Sequence, residues 1–186
     1  MKTALLVLSA LCLSGCAALT ESECRVGDWY GLGLRDGQQG RTSQIAAYYE
    51  ACRDLGVKPL LADYNRGRNQ GLLAYCTPEN GYRVGLAGDS DNAVCPAALQ
   101  PAFQRAHERG RQRYLIVSEI SSLEYEQDRL DRERWKLEER IARADKEDER
   151  RHLLSRLRSI QDEQRRDQRR MESLRYQLDN LQYYAE

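Results

Sequence analysis

The sequence predicts a mainly α-helical protein. We expect a small disulfide-stabilised helical module with a glycine-rich loop or hairpin, followed by a long antiparallel helical hairpin or coiled coil. Three observations support this fold class: small residues recur at helical spacing in the first half, four cysteines lie in the same half, and the second half has a coiled-coil pattern. A change in composition near Gly110 predicts a compact module at 24–110 and a charged coiled-coil tail at 111–186.

The first 15 residues (1–15) have the features of a bacterial export signal. Lys2 provides a positive start, and the apolar run at 4–13 is too short to span a bilayer, which needs about 20 apolar residues. Leu13-Ser14-Gly15-Cys16 then matches the lipobox at which bacterial lipoproteins are cleaved and acylated. We therefore expect a diacylglyceryl cysteine, with palmitate as an acyl chain, at Cys16. The alternative is an ordinary signal peptide followed by a chance cysteine.

The residue after the lipidated cysteine influences sorting in Gram-negative lipoproteins. Here it is Ala17 rather than Asp, which is typical of outer-membrane lipoproteins. Each buried CH2 of an acyl chain contributes about 0.8 kcal/mol, and two chains suffice for stable anchoring. The predicted location is the outer membrane, facing the periplasm, with 16–23 as a lipidated tether.

The charge balance argues against nucleic-acid binding. Removal of the signal leaves 28 basic and 29 acidic side chains. Nucleic-acid binding needs a basic excess, so we expect no nucleic-acid partner.

Four cysteines remain in the compact module: Cys24, Cys52, Cys76 and Cys95. An even number in an exported chain predicts two disulfides, for which three pairings are possible. Proximity along the chain favours Cys24–Cys52 with Cys76–Cys95. A structural zinc site would need ligand pairs two to four residues apart, and a redox site would need Cys-x-x-Cys. Neither spacing occurs, so we expect no metal and no cofactor.

One pattern occurs three times in the compact module: an aromatic residue with small residues three and seven positions later. The copies are Tyr30, Gly33 and Gly37; Tyr64, Gly67 and Gly71; and Phe103, Ala106 and Gly110. At 100° per residue each set lies on one helix face. Glycine inside a helix costs about 1 kcal/mol relative to alanine, so its repetition predicts close packing between helices. The alternative is that the glycines leave room for a ligand.

Turn-forming dipeptides lie between the second and third copies. Asn80-Gly81 and Gly88-Asp89 predict that 76–95 is a loop or a small hairpin rather than a helix. A further helix is expected over about 44–55.

Several spaced motifs resemble one known family. They are Asp28-Trp29-Tyr30-Gly31-x-Gly33-x-x-Asp36-Gly37-x-x-Gly40, Tyr64-x-x-Gly67-x-x-x-Gly71, Tyr75-Cys76-Thr77-Pro78, Asn80-Gly81-Tyr82 and Cys95-Pro96. In this order they resemble the domain-of-unknown-function 2799 family, whose members are uncharacterised envelope lipoproteins of Gram-negative bacteria. The resemblance extends from the lipobox to about Arg113. It implies no activity, and it supports a scaffold role for the cysteines and glycines.

The tail has no Gly or Pro from Tyr114 onward. Two seams have residues spaced alternately four and three apart, and seven of nine positions are apolar in each. They are Ile116, Ile120, Leu123, Gln127, Leu130, Arg134, Leu137, Ile141 and Ala144, then Leu153, Leu157, Ile160, Gln164, Asp167, Met171, Leu174, Leu178 and Leu181. The nine-residue step from Ala144 to Leu153 breaks the phase.

Two architectures are compatible with the seams. An antiparallel hairpin turning within 145–152 would bring Arg134 near Asp167, whereas a continuous helix forming a parallel dimer would place each beside its own copy. Asp145 is a suitable N-cap, and acidic residues follow it in the next turn. These features favour the hairpin, although the absence of Gly and Pro favours a continuous helix.

No catalytic constellation is recognisable, and the only histidines, His107 and His152, have no serine or carboxylate motif beside them. We therefore expect a non-enzymatic interaction protein. Its helical tail, residues 114–182, would bind a partner protein or a second copy. The alternative is a binding module for glycans or peptidoglycan fragments. That module would use the aromatic residues Trp29, Tyr30, Tyr64 and Tyr82.

Overall fold

The computed structural model describes residues 19–183, and their side chains as far as Leu181. The predicted signal peptide (1–15) and Cys16 lie outside the described residues. The helices are α1 (Glu21–Val26), α2 (Trp29–Gln38), α3 (Ile45–Cys52), α4 (Leu61–Tyr75), α5 (Pro78–Leu86), α6 (Gln100–Arg143) and α7 (Glu147–Tyr183), with a 3-10 turn at Arg53–Leu55. No β-strand occurs between residues 19 and 183. The predicted mainly α fold class is confirmed.

The described chain forms two compact units. The first contains the residues up to Gly81 together with Asp91–Arg105, and the second contains Tyr82–Ser90 and the residues from Ala106 onward. Helices α5 and α6 each contribute residues to both units.

The segment before α1, predicted to be part of the tether at 16–23, is folded from Leu19 onward. Thr20 forms a capping box: its backbone N–H donates to the Glu23 carboxylate at 2.9 Å, and its hydroxyl accepts from the Glu23 backbone N–H at 3.3 Å. The preceding Leu19 side chain is buried in a core cluster with Trp29. The chain is therefore fixed to the first unit immediately after Ala18.

Helices α2 and α4 pack through the glycine face that the sequence predicts. A Cβ on Gly33 would overlap the backbone carbonyl of Tyr64, and a Cβ on Gly67 would overlap that of Tyr30. The same close approach is made one turn further along by Gly37 and Gly71. The neighbouring backbone occupies the space that these glycines leave, so small-residue packing, rather than room for a ligand, explains the pattern.

The prediction of a loop or hairpin across 76–95 is wrong for its first half, which forms α5. Thr77 caps this helix by accepting from the Asn80 backbone N–H at 3.2 Å, and Pro78 occupies the first helical position, where no N–H is needed. Gly81 and Gly85 lie within this helix, and a Cβ on either would overlap the α6 backbone. The spacing of these glycines after Pro78 is a fourth copy of the small-residue pattern, without its aromatic residue.

The α5–α6 pair repeats the α2–α4 pair position by position. Just beyond the first helix of each pair lies a glycine with positive φ. Gly40, at 63°, follows Tyr30 by ten residues, and Gly88, at 82°, follows Pro78 by ten residues. A Cβ on either glycine would collide with a tyrosine ring, that of Tyr75 or of Tyr114 respectively. Each tyrosine lies eleven residues after the aromatic start of the second helix in its pair.

A polar contact also recurs in both pairs. In the first, the Arg68 guanidinium donates to the backbone carbonyl of Arg41 at 2.9 Å. In the second, the Nε2 atom of His107 lies 2.8 Å from the backbone carbonyl of Asp89. Arg68 and His107 hold the same position in the pattern, as do the two carbonyls. The compact part of the chain is therefore built from two structurally equivalent helix pairs.

Each helix pair has one disulfide. Cys24 bonds to Cys52, and Cys76 bonds to Cys95, which is the pairing favoured by proximity along the chain. One cysteine of each bond precedes the first helix of its pair, and the other lies on the connection to the second helix. Cys24 and Cys52 are fully buried in the first core cluster.

Helices α6 and α7 form the predicted antiparallel hairpin, with residues 144–146 as the connection. Its core contains one run of seam residues: Leu130, Leu137, Ile141, Ala144, Leu153 and Ile160. Arg150 donates from its guanidinium to the Ala144 carbonyl at 2.7 Å, which satisfies an acceptor just beyond the end of α6. This side-chain cap allows a tight connection without glycine or proline.

Two details of the predicted hairpin are wrong. Arg134 pairs along its own helix with Asp131 at 3.3 Å, not with Asp167, because its guanidinium reaches a carboxylate one turn away. Lys146 rather than Asp145 directly precedes α7, and its carbonyl accepts the Arg150 backbone N–H at 3.0 Å.

Candidate functional site

The first unit encloses one carboxylate. Asp36 of α2 is fully buried and accepts hydrogen bonds from the Tyr48 hydroxyl, at 2.8 and 3.0 Å, and from the Tyr64 hydroxyl, at 2.9 Å. The half-exposed Arg41 guanidinium lies 3.7 Å away. A buried carboxylate needs such partners, because desolvation without them would cost several kcal/mol.

The phenols of this cluster titrate above their ordinary range. Burial and the hydrogen bond to Asp36 raise the pKa of Tyr48 to about 12. Burial also raises the pKa of Tyr64, although the Gln44 backbone N–H, which donates to its hydroxyl at 2.8 Å, acts in the opposite direction. Both phenols are therefore protonated donors at neutral pH. The cluster holds α2, α3 and α4 together and offers no open position to a substrate.

The remaining chemistry-bearing residues do not converge on a site. His107 is buried against a backbone carbonyl, and His152 is exposed on α7. Within residues 19–183 no three His, Cys, Asp or Glu side chains are grouped so that they could hold a metal ion.

The structure separates the four aromatic residues predicted as a possible ligand platform. Trp29 is 4% exposed and Tyr64 is 0% exposed, so neither ring can stack on a sugar. Tyr30 is partly exposed, but Arg66 lies over its ring with the guanidinium carbon 5.5 Å from the centroid. Tyr82 is half-buried and belongs to the second unit. The sequence also allowed these aromatic residues to form the small core, and Trp29 and Tyr64 do so.

A shallow pocket of about 380 Å³ lies against α1 and α2 in the first unit. Its lining residues are Ser22, Glu23, Val26, Asp28, Gly31, Leu32 and Arg35. The charged groups are already satisfied within the fold, since Arg35 lies 3.6 Å from Glu23 and Asp28 caps α2. The pocket therefore has no free charge with which to select a ligand.

An exposed stripe on α6 was missed by the sequence analysis. We call it the outer α6 face and define it as Tyr114, Val117, Ser121 and Tyr125, which share one side of the helix outside the hairpin seam. Tyr114, Val117 and Tyr125 are exposed, and none of the four residues is charged. The low charge of this segment within a highly charged tail was the available signal.

The acidic residues near the outer α6 face form ion pairs with α7, the other helix of the hairpin. The only acidic residues between Tyr114 and Tyr125 are Glu119 and Glu124. Glu119 pairs with Arg170 at 2.7 Å, and Glu124 pairs with an α7 arginine at 3.0 Å. The pKa of Arg170 is raised by its hydrogen bond to Glu119. The face itself is therefore left without charge.

The fold defines a disulfide-stabilised helical protein with a buried polar cluster and a long helical hairpin. No described helix has both the length and the apolar composition needed to cross a bilayer. Residues 28–112 match the family described as "Protein of unknown function (DUF2799)", and this part of the chain belongs to that family. No curated protein and no solved structure matched the chain in our searches.

Proposed function

We propose that this protein is a non-enzymatic lipoprotein of the cell envelope. Acylated Cys16 anchors it to the outer membrane on the periplasmic side, and its hairpin tail binds a partner protein. The glycine-packed, disulfide-linked module is the scaffold that connects the anchor to the tail.

The outer α6 face is the observation that carries the partner-binding proposal. The seam residues of the hairpin core pack against one another, so these residues are not available for a further helix. What the tail offers instead is the outer α6 face, an uncharged stripe about three turns long in a segment otherwise rich in charge. Exposed apolar stripes with neighbouring charges already paired are typical of protein interfaces.

A photoreactive cross-linker placed in living cells tests this proposal. Tyr125 and Tyr176 are a matched pair, since they are 69% and 70% exposed and lie on α6 and α7 respectively. We expect a cross-linker at Tyr125 to form one discrete adduct that Val117→Glu removes, while the same group at Tyr176 forms none. Equal labelling at both positions, or an adduct unaffected by Val117→Glu, would contradict binding through the outer α6 face.

The anchoring is tested separately. Mass analysis of the mature amino-terminal peptide is expected to give Cys16 bearing diacylglycerol and a further acyl chain. Cys16→Ser should abolish this modification and release the protein from membranes. A mature chain that begins elsewhere, or that carries no lipid, contradicts the anchoring.

A further inference from the structure

The folded body begins close to the predicted lipid attachment site. Only Ala17 and Ala18 separate Cys16 from Leu19, whose side chain is buried in the core of the first unit. Three residues span at most about 10 Å when fully extended. If the anchoring proposed above holds, the surface around Leu19 is kept against the bilayer.

Two adjacent leucines are exposed on the same unit. Leu60 and Leu61, at the start of α4, are 57% and 55% exposed. The nearby Val57 packs against the core cluster that contains Leu19. Since Leu60 follows Val57 by three residues, its α-carbon lies within about 10 Å of that of Val57. Helix α1, which begins two residues after Leu19, contacts the 3-10 turn at Arg53–Leu55, and the leucines follow this turn by only five residues. The chain segment that leads to the leucines therefore starts beside the anchored end of the unit.

The charges of this segment suit a lipid surface. Between Gly56 and Ala62 the sequence has one charged residue, the exposed Lys58, and no acidic residue. The next acidic residue along the chain, Asp63, is paired with Arg66 at 2.9 Å. A lysine beside exposed leucines can place its ammonium group among lipid phosphates while the leucines enter the acyl boundary.

We propose that residues 56–62 form a membrane-contact loop, in which Leu60 and Leu61 insert into the lipid surface beside the anchor. This inference rests on the proposed acylation of Cys16. The loop gives the first unit a fixed orientation on the bilayer, which a lipid anchor alone does not impose.

Quenching of tryptophan by brominated acyl chains tests the proposal with the full acylated chain. Trp135→Phe removes the exposed tryptophan and leaves Trp29, which is buried, as a constant background. Leu60→Trp is compared with Leu73→Trp in this background. Leu73 is a matched control, because it is 52% exposed on α4 and lies about 18 Å from Leu61 along the helix axis. The vesicles contain phosphatidylethanolamine and phosphatidylglycerol.

We expect brominated lipid to quench the tryptophan at position 60 at least twofold more than the one at position 73. Leu60→Asp with Leu61→Asp in the non-acylated mature chain should weaken vesicle binding by about tenfold. Mass analysis of Cys16 is made on the same sample. An acylated chain with equal quenching at both positions overturns the membrane-contact loop alone, whereas a chain without lipid at Cys16 overturns the anchoring and the loop with it.

Discussion

At the level of single residues, Asp36 determines how three helices of the first unit meet. Its carboxylate is sealed from solvent and accepts hydrogen bonds from the hydroxyl groups of Tyr48 and Tyr64. Removal of one donor leaves a buried acceptor without its partner, which costs about 1–3 kcal/mol. The cluster therefore makes stability depend on the protonation of the phenols.

Alkaline pH should destabilise the first unit through Tyr48. The pKa of this phenol is raised from about 10 in the unfolded chain to about 12 in the folded one, so folding favours the protonated form. Its contribution to stability is complete below pH 10 and is lost as the pH rises from 10 to 12. Urea midpoints measured between pH 8 and 12 should fall over this range.

Tyr48→Phe provides the control for that titration. This variant should be less stable at pH 8, because Asp36 loses a donor, and its stability should fall less between pH 10 and 12. Parallel pH profiles for the two proteins would show that Tyr48 is not the titrating group.

The glycine face gives a second prediction at this scale. Alanine at an exposed helix position is more favourable than glycine by about 1 kcal/mol, yet a Cβ on Gly67 would overlap the Tyr30 carbonyl of α2. Gly67→Ala should therefore force α2 and α4 apart and destabilise the first unit by about 3 kcal/mol, measured by urea unfolding.

Gly56 is the comparison. It has no atom near its missing Cβ, and its φ of 67° accounts for the only expected cost of Gly56→Ala, about 1 kcal/mol. A Gly67→Ala protein as stable as Gly56→Ala would mean that the helices do not touch at Gly67.

At the level of elements, the register of the α6–α7 hairpin is fixed by ion pairs as well as by its core. Arg170 with Glu119 and Arg156 with Glu133 join positions far apart in sequence. Such exposed pairs contribute modestly to stability, but a wrong register would place like charges together. These ion pairs therefore act mainly by selecting the correct register of α6 against α7.

Charge exchange across the hairpin tests this register. Glu119→Arg alone should lower the melting temperature of the tail by a few degrees, because it places two arginines together. Glu119→Arg combined with Arg170→Glu should restore most of the loss, as followed by circular dichroism. Losses that simply add in the double variant would place Glu119 and Arg170 apart.

The elements also show what the sequence could predict. The seams, the hairpin and the small-residue faces followed from periodicity, because each records one-sided burial along a helix. Helix α5 did not, since Asn80-Gly81 is a common turn dipeptide and its glycine here serves helix contact. The fourth glycine copy was visible as spacing, but Pro78 occupied the position of the aromatic residue that identified the other copies. The aromatic types at Trp29 and Tyr64 were compatible with either a core or a ligand platform, and the structure places both in the core.

At the level of the whole molecule, the cross-links are unevenly distributed. All four disulfide cysteines lie in the first unit, and the second unit contains none. In the chain-entropy model each bond, closing a separation of 28 or 19 residues, contributes about 3–4 kcal/mol. The second unit is held by helix packing and ion pairs, without a disulfide.

Reduction should therefore divide thermal unfolding into two transitions. In a Trp135→Phe protein, we expect dithiothreitol to lower the transition reported by Trp29 fluorescence, while the helical signal of the hairpin melts at an unchanged temperature. Cys76→Ala with Cys95→Ala, without reductant, should produce part of the same shift. If reduction left both transitions unchanged, the disulfides would not stabilise the first unit.

The parallel direction of both glycine-packed pairs has a consequence for how the chain folds. Gly33 meets Tyr64 and Gly37 meets Arg68, so both helices run the same way and no tight turn can join them. The chain must close a long loop before any glycine contact forms. The conformational entropy of that loop is therefore lost before helix packing can offset the loss. Because each disulfide shortens such a loop, oxidation and helix docking accelerate each other. A chain kept reduced would consequently collapse slowly, because its helix pairs would have to form across loops that no disulfide has shortened.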